Sequence, residues 1–326
     1  MITRRQSILT LALGATSSIP MSLFAQDAWP GKPVTIVVPY PAGSAPDNLT
    51  RMASDDLRAA FGQPIIVDNR AGAGGLIGPT KVVHSAPDGY TIAVATVGVF
   101  AINEFLRSKL PFDADKDLTP VTLMYELPNI MVVPASNPAR NVKEFAEWAK
   151  KHSKAVTFAS PGVGNSAHLF GDLLKMKGDF PAIHVPYQTG AMVTQALLQG
   201  DIDFTIDVLP TYWPLVKQGK LKVLAINGNS RWSQAPDVPT FQESGFDGFD
   251  LTTWVALAVA SGVPKDIVHK INLAWKGVSQ NPALVKKYSD YGVRMAYSTP
   301  EDLKRRIASE KPRWGALVKA SGAKID

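Results

Sequence analysis

The side chains able to do chemistry are few. The five histidines are His84, His152, His168, His184 and His269, and none sits in the HExxH spacing of a zinc site. No GxSxG elbow surrounds Ser160 or Ser166, the two serines flanking a glycine-rich turn. Asp47 and Asp207 fall at expected loop–helix and strand-end positions, where they could converge, but no carboxylate pair closes both candidate loops. Cysteine is absent, which removes thiolate nucleophiles, disulfides, thiolate metal sites and a lipidated N-terminal cysteine. These residues predict no catalytic centre, no metal and no cofactor. The chemistry left to the chain is that of its main chain.

That chemistry is concentrated in two stretches. In residues 33–47, PVTIVVPYPAGSAPD, the β-branched run Val34–Val38 is followed by a turn containing Gly43, and then by Ser44 and Asp47 in the spacing of a capping box with Pro46 between them. In residues 156–178 the run VTFAS precedes Pro161, Gly162, Val163, Gly164 and Asn165, and a helix is expected from Ser166 with Gly178 as its stop. A buried strand that ends in a glycine turn and a capped helix leaves free N–H groups at the sheet's carboxyl edge. There open α/β sheets bind ligands and a helix N-terminus attracts anions. A single loop of this kind could equally be an ordinary βα turn; two of them predict two lobes facing one ligand.

Other elements must hold these loops. A helix is expected over 47–61 and a strand over 65–67. The glycine-rich 72–78 that follows breaks the dinucleotide spacing, with Ile77 where the third glycine belongs, and has no Walker lysine, so a tight turn with close helix packing is expected. The run 121–133, with Pro128 inside, reads as a strand, a crossing and a new strand. Helix Val142–Lys151, strand 182–185, helix 191–199, strand 203–208 and strand Leu221–Ile226 come next. Residues 227–248, rich in Gly, Ser, Asp and Pro, read as the return connection. A strand over 252–260 and helices from 264, 282 and 298 close the chain, the last opened by a capping signal at Ser298–Glu301 and kinked at Pro312. The fold class is α/β.

The chain has 326 residues, 45% hydrophobic and 19% charged, enough for one large or two medium α/β domains. Residues 1–25 read as an export signal, with Arg4 and Arg5 ahead of a short apolar run and Ala25 before the cut. The general secretory route fits better than the twin-arginine one, because Ser7 stands where the latter favours an apolar residue. The mature protein is expected to be soluble in a periplasm and monomeric. Net charge is +6, but the basic residues are dispersed without interleaved aromatics, which argues against nucleic acid as a partner.

With these residues in view, the sequence resembles the Bug family, the tripartite tricarboxylate transporter receptors, which are extracytoplasmic solute-binding proteins. The resemblance rests on PYPAGSAPDNLTR (39–51), VDNRAGAGGLIG (67–78), PDGYTI (87–92), SPGVGNSAHL (160–169), VPYQTG (185–190), QALLQGDIDF (195–204) and PTFQESG (239–245), in that order. It implies a two-lobed Venus-flytrap fold of the type II periplasmic binding proteins with two crossings. One lobe would be 26–123 plus 250–326, the other 124–249. It implies a small carboxylate held between the lobes, and transporter membrane subunits or a sensor as partner. The first-lobe contacts carried over are Tyr40, Ala42, Gly43, Ser44, Asp47, Thr96 and Val97. Those of the second lobe are Ser160, Gly162, Gly164, Asn165, Ser166, His168, Thr189, Gly190 and Asp207. Ser44 stands where the family often has glycine, and its hydroxyl is open to two roles, capping the helix or reaching the ligand.

Each contact has a structural rival. Asp47 is expected to cap its own helix rather than bind an amino group; Asp207 is open between the two. His168 is either a ligand contact or a packed histidine, and Trp254 is expected in the core. No Lys or Arg falls in the candidate loops, so the anchor is expected to be main-chain N–H dipoles, each worth only about 0.3–1 kcal/mol when exposed. Binding then needs both lobes to close and exclude water. The leading reading is a periplasmic binding protein for a dicarboxylate, amino acid or aromatic acid. The alternative is a secreted enzyme on the same scaffold, with His168, Asp47 and Asp207 meeting around a substrate.

Overall fold

A computed structural model of the chain describes residues 29–325. The export signal read in residues 1–25 lies outside them. The chain forms two sheets. The six-stranded sheet contains β1 (Val34–Val38), β2 (Ile65–Asn69), β3 (Thr91–Thr96), β4 (Leu118–Leu127), β10 (Thr253–Ala260) and β11 (Arg294–Met295), in the order β11-β4-β10-β3-β1-β2. The five-stranded sheet contains β5 (Asn129–Pro134), β6 (Val156–Ser160), β7 (Ala182–Pro186), β8 (Phe204–Val208) and β9 (Leu221–Ile226), in the order β7-β6-β8-β5-β9. This is the two-lobed α/β architecture expected from the sequence.

In each sheet the strands that lead into glycine turns run parallel: β1 with β2 and β3, and β6 with β7 and β8. The apolar residues of β1, β3 and β6 are buried on both faces, as helix-covered parallel strands require, while the edge strands β2 and β7 leave Ile66 and Ile183 exposed. The antiparallel pairs are β10 with β3 and β4, β5 with β8 and β9, all next to the crossings, and β11 with β4. The chain changes sheet at Pro128, between β4 and β5, and returns between β9 and β10. Buried Asn227 ties the two crossings together. Its Oδ1 accepts from the Asn129 N–H at 2.7 Å, and its Nδ2 donates to the Leu251 carbonyl at 2.6 Å.

Helices cover the sheets: α1 (Ala45–Phe61), α2 (Ile77–Val83), α3 (Asn103–Leu106), α4 (Ala114–Asp117), α5 (Val142–Lys151), α6 (Ser166–Gly178), α7 (Gly190–Gln199), α8 (Leu209–Lys217), α9 (Lys265–Ser279), α10 (Pro282–Asp290) and α11 (Pro300–Ser321). A π-helical turn, Gly98–Ile102, precedes α3. Three local expectations are corrected. The stop of α6 is Asp179, left-handed at φ 51, and not Gly178. Gly178 is small for another reason: a β-carbon there would lie 2.5 Å from Phe180 Cε1. The cap of α11 pairs Thr299 with Asp302, and not with Glu301: the Asp302 N–H donates to Thr299 Oγ1 at 3.1 Å, and the hydroxyl bonds the Asp302 carboxylate at 2.6 Å. Helix α11 runs through Pro312 as one element to Ser321. It does not pack on the first lobe alone. Trp314 meets Phe170 of α6 at a ring distance of 5.5 Å, so a continuous apolar core joins the two sheets on that side. Trp254 is fully buried, as expected, with its indole N–H donating to Glu310 at 2.7 Å.

Candidate functional site

The first cradle is the loop between β1 and α1. Gly43 takes φ 82, which turns the chain back toward the helix. The capping box read from Ser44 and Asp47 forms only in half, and one residue early. Asp47 Oδ2 accepts the Gly43 N–H at 2.8 Å, while Ser44 Oγ, shielded from solvent, makes no hydrogen bond. Asp47 is buried and also bonded by Arg51 Nε and Asn69 Nδ2, each at 2.9 Å. Burial works against its charge, but Arg51, the Gly43 N–H and Asn69 outweigh it and hold the carboxyl below its usual range. Asp47 therefore shapes the loop, as favoured from the sequence. Ala45 and Asp47, in the first turn of α1, offer N–H groups with no acceptor among the described residues, and Pro46 between them has none to offer. Tyr40 and the buried Thr96 and Val97 lie at the ends of β1 and β3 beside this loop. Burial pushes the Tyr40 hydroxyl up, against a hydrogen bond with Thr96.

The second cradle is the loop between β6 and α6. Gly162 and Gly164 take φ 118 and 76, and Asn165 caps α6 by accepting the His168 N–H at 3.0 Å. His168 is buried, and both ring nitrogens are occupied within the lobe. Nδ1 accepts the Gly164 N–H at 3.0 Å, which leaves the proton on Nε2, 2.9 Å from Asp172. Its ring stacks on His184 at 3.7 Å, and His184 Nε2 lies 2.7 Å from Ser160 Oγ, which donates to the Gly162 carbonyl at 2.5 Å. Burial and then the neighbouring His168 push His184 down to about 4, with Asp172 opposing. This lattice fixes the loop and engages the Gly164 N–H. Ser160 is fully buried, so its pairing with His184 is not an accessible nucleophile–base pair. Ser166 and Ala167 keep first-turn N–H groups without acceptors among the described residues. The Ser166 hydroxyl accepts from Thr253 Oγ1 at 3.0 Å, joining this helix start to the return crossing.

Behind the second cradle, Thr189 caps α7 and Gly190 opens it. A β-carbon on Gly190 would stand 3.9 Å from Asp207 Oδ2. Asp207 is buried, accepting from the Val208 N–H at 2.8 Å and the Tyr212 hydroxyl at 2.9 Å. Burial raises its carboxyl to about 6 against those two bonds. The native state thus holds this proton more tightly than the unfolded chain at 3.8, so the charge costs stability above pH 6 and the cost vanishes below pH 4. Asp207→Asn is expected to stabilise the protein by on the order of 1–2 kcal/mol above that range, with no gain at acid pH. Urea unfolding at both ends of the range checks this. Asp47 and Asp207 share no bonding partner.

Residues that the sequence reading left out come close to the cradles. A β-carbon on Gly164 would lie 2.3 Å from Leu106 Cδ1, so α3 of the first lobe abuts the second cradle. Beside Leu106 stands Arg107, against the loop Gly72–Gly75. A charge just after a short helix and an apolar run was the available signal, but nothing in the spacing joins residues near 73, 107 and 164. Two open surface grooves, one around Trp29 and Lys270 and one along α11, contain none of the predicted contacts. Among the described residues no helix is long and apolar enough to cross a membrane, and no group of His, Cys, Asp and Glu could hold a metal.

The family described as the tripartite tricarboxylate transporter family receptor matches residues 49–323. The chain belongs to that receptor family. Three solved structures are similar to this receptor chain over nearly its whole length. One, from R. palustris and described with adipate, is 29% identical with a TM-score of 0.84, covering 91% of this chain and 100% of the other. MatC from Rhodopseudomonas palustris, with bound malate, is 31% identical with a TM-score of 0.79, covering 89% and 99%. The periplasmic binding protein BugD is 29% identical with a TM-score of 0.78, covering 91% and 99%.

Proposed function

We propose that this protein is a periplasmic receptor that captures a small carboxylate between its two lobes and delivers it to membrane subunits of a tripartite tricarboxylate transporter or to a sensor. One observation carries the reading. Two helix starts, α1 and α6, stand at the carboxyl edges of the two parallel sheet halves, each with first-turn N–H groups lacking acceptors. An organic anion supplies the missing acceptors and the charge that helix N-termini favour. The anchors are the N–H groups of Ala45, Asp47, Ser166 and Ala167, with Tyr40 and Thr96 on the wall. In this reading His168, Asp47 and Ser160 hold the loops in place. The lobes divide near the Pro128 crossing and again before β10, and the strap through Asn227 is the hinge about which they close.

Titration of the purified protein with a panel of mono- and dicarboxylates and amino acids, followed by tryptophan fluorescence and melting temperature, tests the reading. At least one carboxylate is expected to shift both signals, with a rise of about 2.7 kcal/mol in stability at a hundredfold excess over Kd. Absence of any shift across the panel, with no ligand in native mass spectra, overturns it. Turnover of a bound carboxylate would assign the protein to enzymes instead.

A further inference from the structure

Arg107 is the one feature of the cleft wall that the main-chain anchor does not explain. It follows α3 directly and adjoins Leu106, the residue that meets Gly164 of the second cradle. Its side chain is half-buried. Among the described residues Nε is closed off from solvent and has no acceptor, and the guanidinium makes one long contact, Nη2 to the Ala73 carbonyl at 3.4 Å. No carboxylate lies within ion-pair distance of it among the described residues. Other shielded cations of the protein are treated differently. Arg306 is held by Glu126 and Glu310, and Lys311 by Glu104 and Asp115.

The surroundings leave room for an acceptor. Gly72, Ala73, Gly74 and Gly75 all have positive φ, a conformation that favours glycine, and three of the four place no side chain on this wall. A β-carbon on Gly74 would lie 3.5 Å from Arg107 Nη2 and 4.0 Å from Asn103 Oδ1, and one on Gly75 would lie 3.5 Å from the Tyr40 hydroxyl. Arg107 thus belongs to the wall that carries Tyr40 and Thr96, next to the first cradle. A buried donor without a partner costs about 1–3 kcal/mol, and a guanidinium is shaped to receive a carboxylate through two parallel bonds.

We propose that Arg107 receives the second anionic group of the ligand, so that the cleft selects dicarboxylates over monocarboxylates of the same length. This rests on the carboxylate-receptor reading above. The first carboxylate takes the N–H groups of the helix starts, and the distal one takes the guanidinium fork.

Calorimetric titration separates the outcomes, using succinate, glutarate and adipate beside butyrate, valerate and hexanoate. The wild-type protein is expected to bind its best diacid at least about tenfold tighter than the matched monoacid. Arg107→Gln is expected to lose about ten- to a hundredfold on the diacid and about twofold or less on the monoacid. Arg107→Lys, which keeps the charge without the fork, should fall between them and also serves if the glutamine variant does not fold. A wild-type protein that binds carboxylates without diacid preference overturns the role of Arg107 and leaves the receptor reading standing. So does a glutamine variant that loses both classes equally or neither. Failure of every acid to bind the wild type overturns both.

Discussion

Glu126→Ala is expected to lower stability by roughly 2–4 kcal/mol, the largest single loss outside the apolar core. Glu126 sits at the end of β4, two residues before the Pro128 crossing, and its side chain is 10% exposed. One oxygen takes Arg294 and the other takes Arg306. Arg306 in turn bonds Glu310 at 2.7 Å and Thr252, just before β10, at 3.0 Å. Glu310 also accepts the indole N–H groups of Trp254 and Trp314. The network therefore clamps both crossing segments and α11. Removing Glu126 leaves Arg306 half-compensated in a setting where its side chain is 25% exposed, whereas Arg294, 59% exposed, can turn to water. That difference moves the expected cost toward and partly under the lower end of the range of about 3–5 kcal/mol for a broken buried pair.

The pH dependence follows from the direction of the shift. Burial raises the Glu126 carboxyl, but Arg294 and Arg306 together bring it below 4.5. Its stabilisation is present above that value and is lost as pH falls through the lowered native one. Thermal melts should show the variant about 5–10 °C lower at neutral pH, with the gap closing in acid. A gap under about 2 °C at neutral pH, or one unchanged by acid, would remove Glu126 from this role.

Gly164→Ala is expected to weaken carboxylate binding by about tenfold or more while costing about 1–2 kcal/mol of stability. Two causes add. Gly164 has φ 76, which is strained for alanine, and the new methyl would stand 2.3 Å and 2.6 Å from the two Cδ atoms of Leu106. Because Leu106 belongs to the opposite lobe, its side chain must rotate away or the second cradle must move back from the first to relieve the clash. Any shift also disturbs the Gly164 N–H bond to His168 Nδ1, which holds the loop. The Leu106→Ala/Gly164→Ala double variant removes the clash and keeps the strain, and it should regain most of the lost affinity. Titration of the wild type, both single variants and the double variant with one carboxylate closes this cycle. A double variant no better than Gly164→Ala alone would show that the inter-lobe contact does not govern binding.

Much of the framework was legible because it is written locally. The strands Val34–Val38, Val156–Ser160 and Leu221–Ile226 and the helix Val142–Lys151 have the bounds read from their apolar runs and caps. Such signals depend on neighbours a few residues away, and the hydrogen bonds that end these elements are of the same short range. The two glycine turns followed by helix starts were visible for that reason, and with them the expectation of two lobes. The stop at Gly178 misled because glycine has two uses. Here it yields space to Phe180, a packing demand, while Asp179 adopts the left-handed conformation.

The amino-acid sequence by itself determined where anion-binding loops would form, that no cysteine chemistry exists, and that the chain is an α/β protein. Tertiary structure shows which of those loop groups are already engaged, each by a partner one to five residues away. The Gly164 N–H is taken by His168, the Gly43 N–H by Asp47, and the Asp207 carboxylate by Tyr212 and Val208. It alone brought Arg107 beside the Gly72–Gly75 loop and laid α11 across both sheets. The reason is physical. A loop's conformation and the bonds inside it follow from residues a few positions apart, but contacts between residues tens of positions apart, such as Arg107 with Ala73 and Trp314 with Phe170, exist only once the chain has closed.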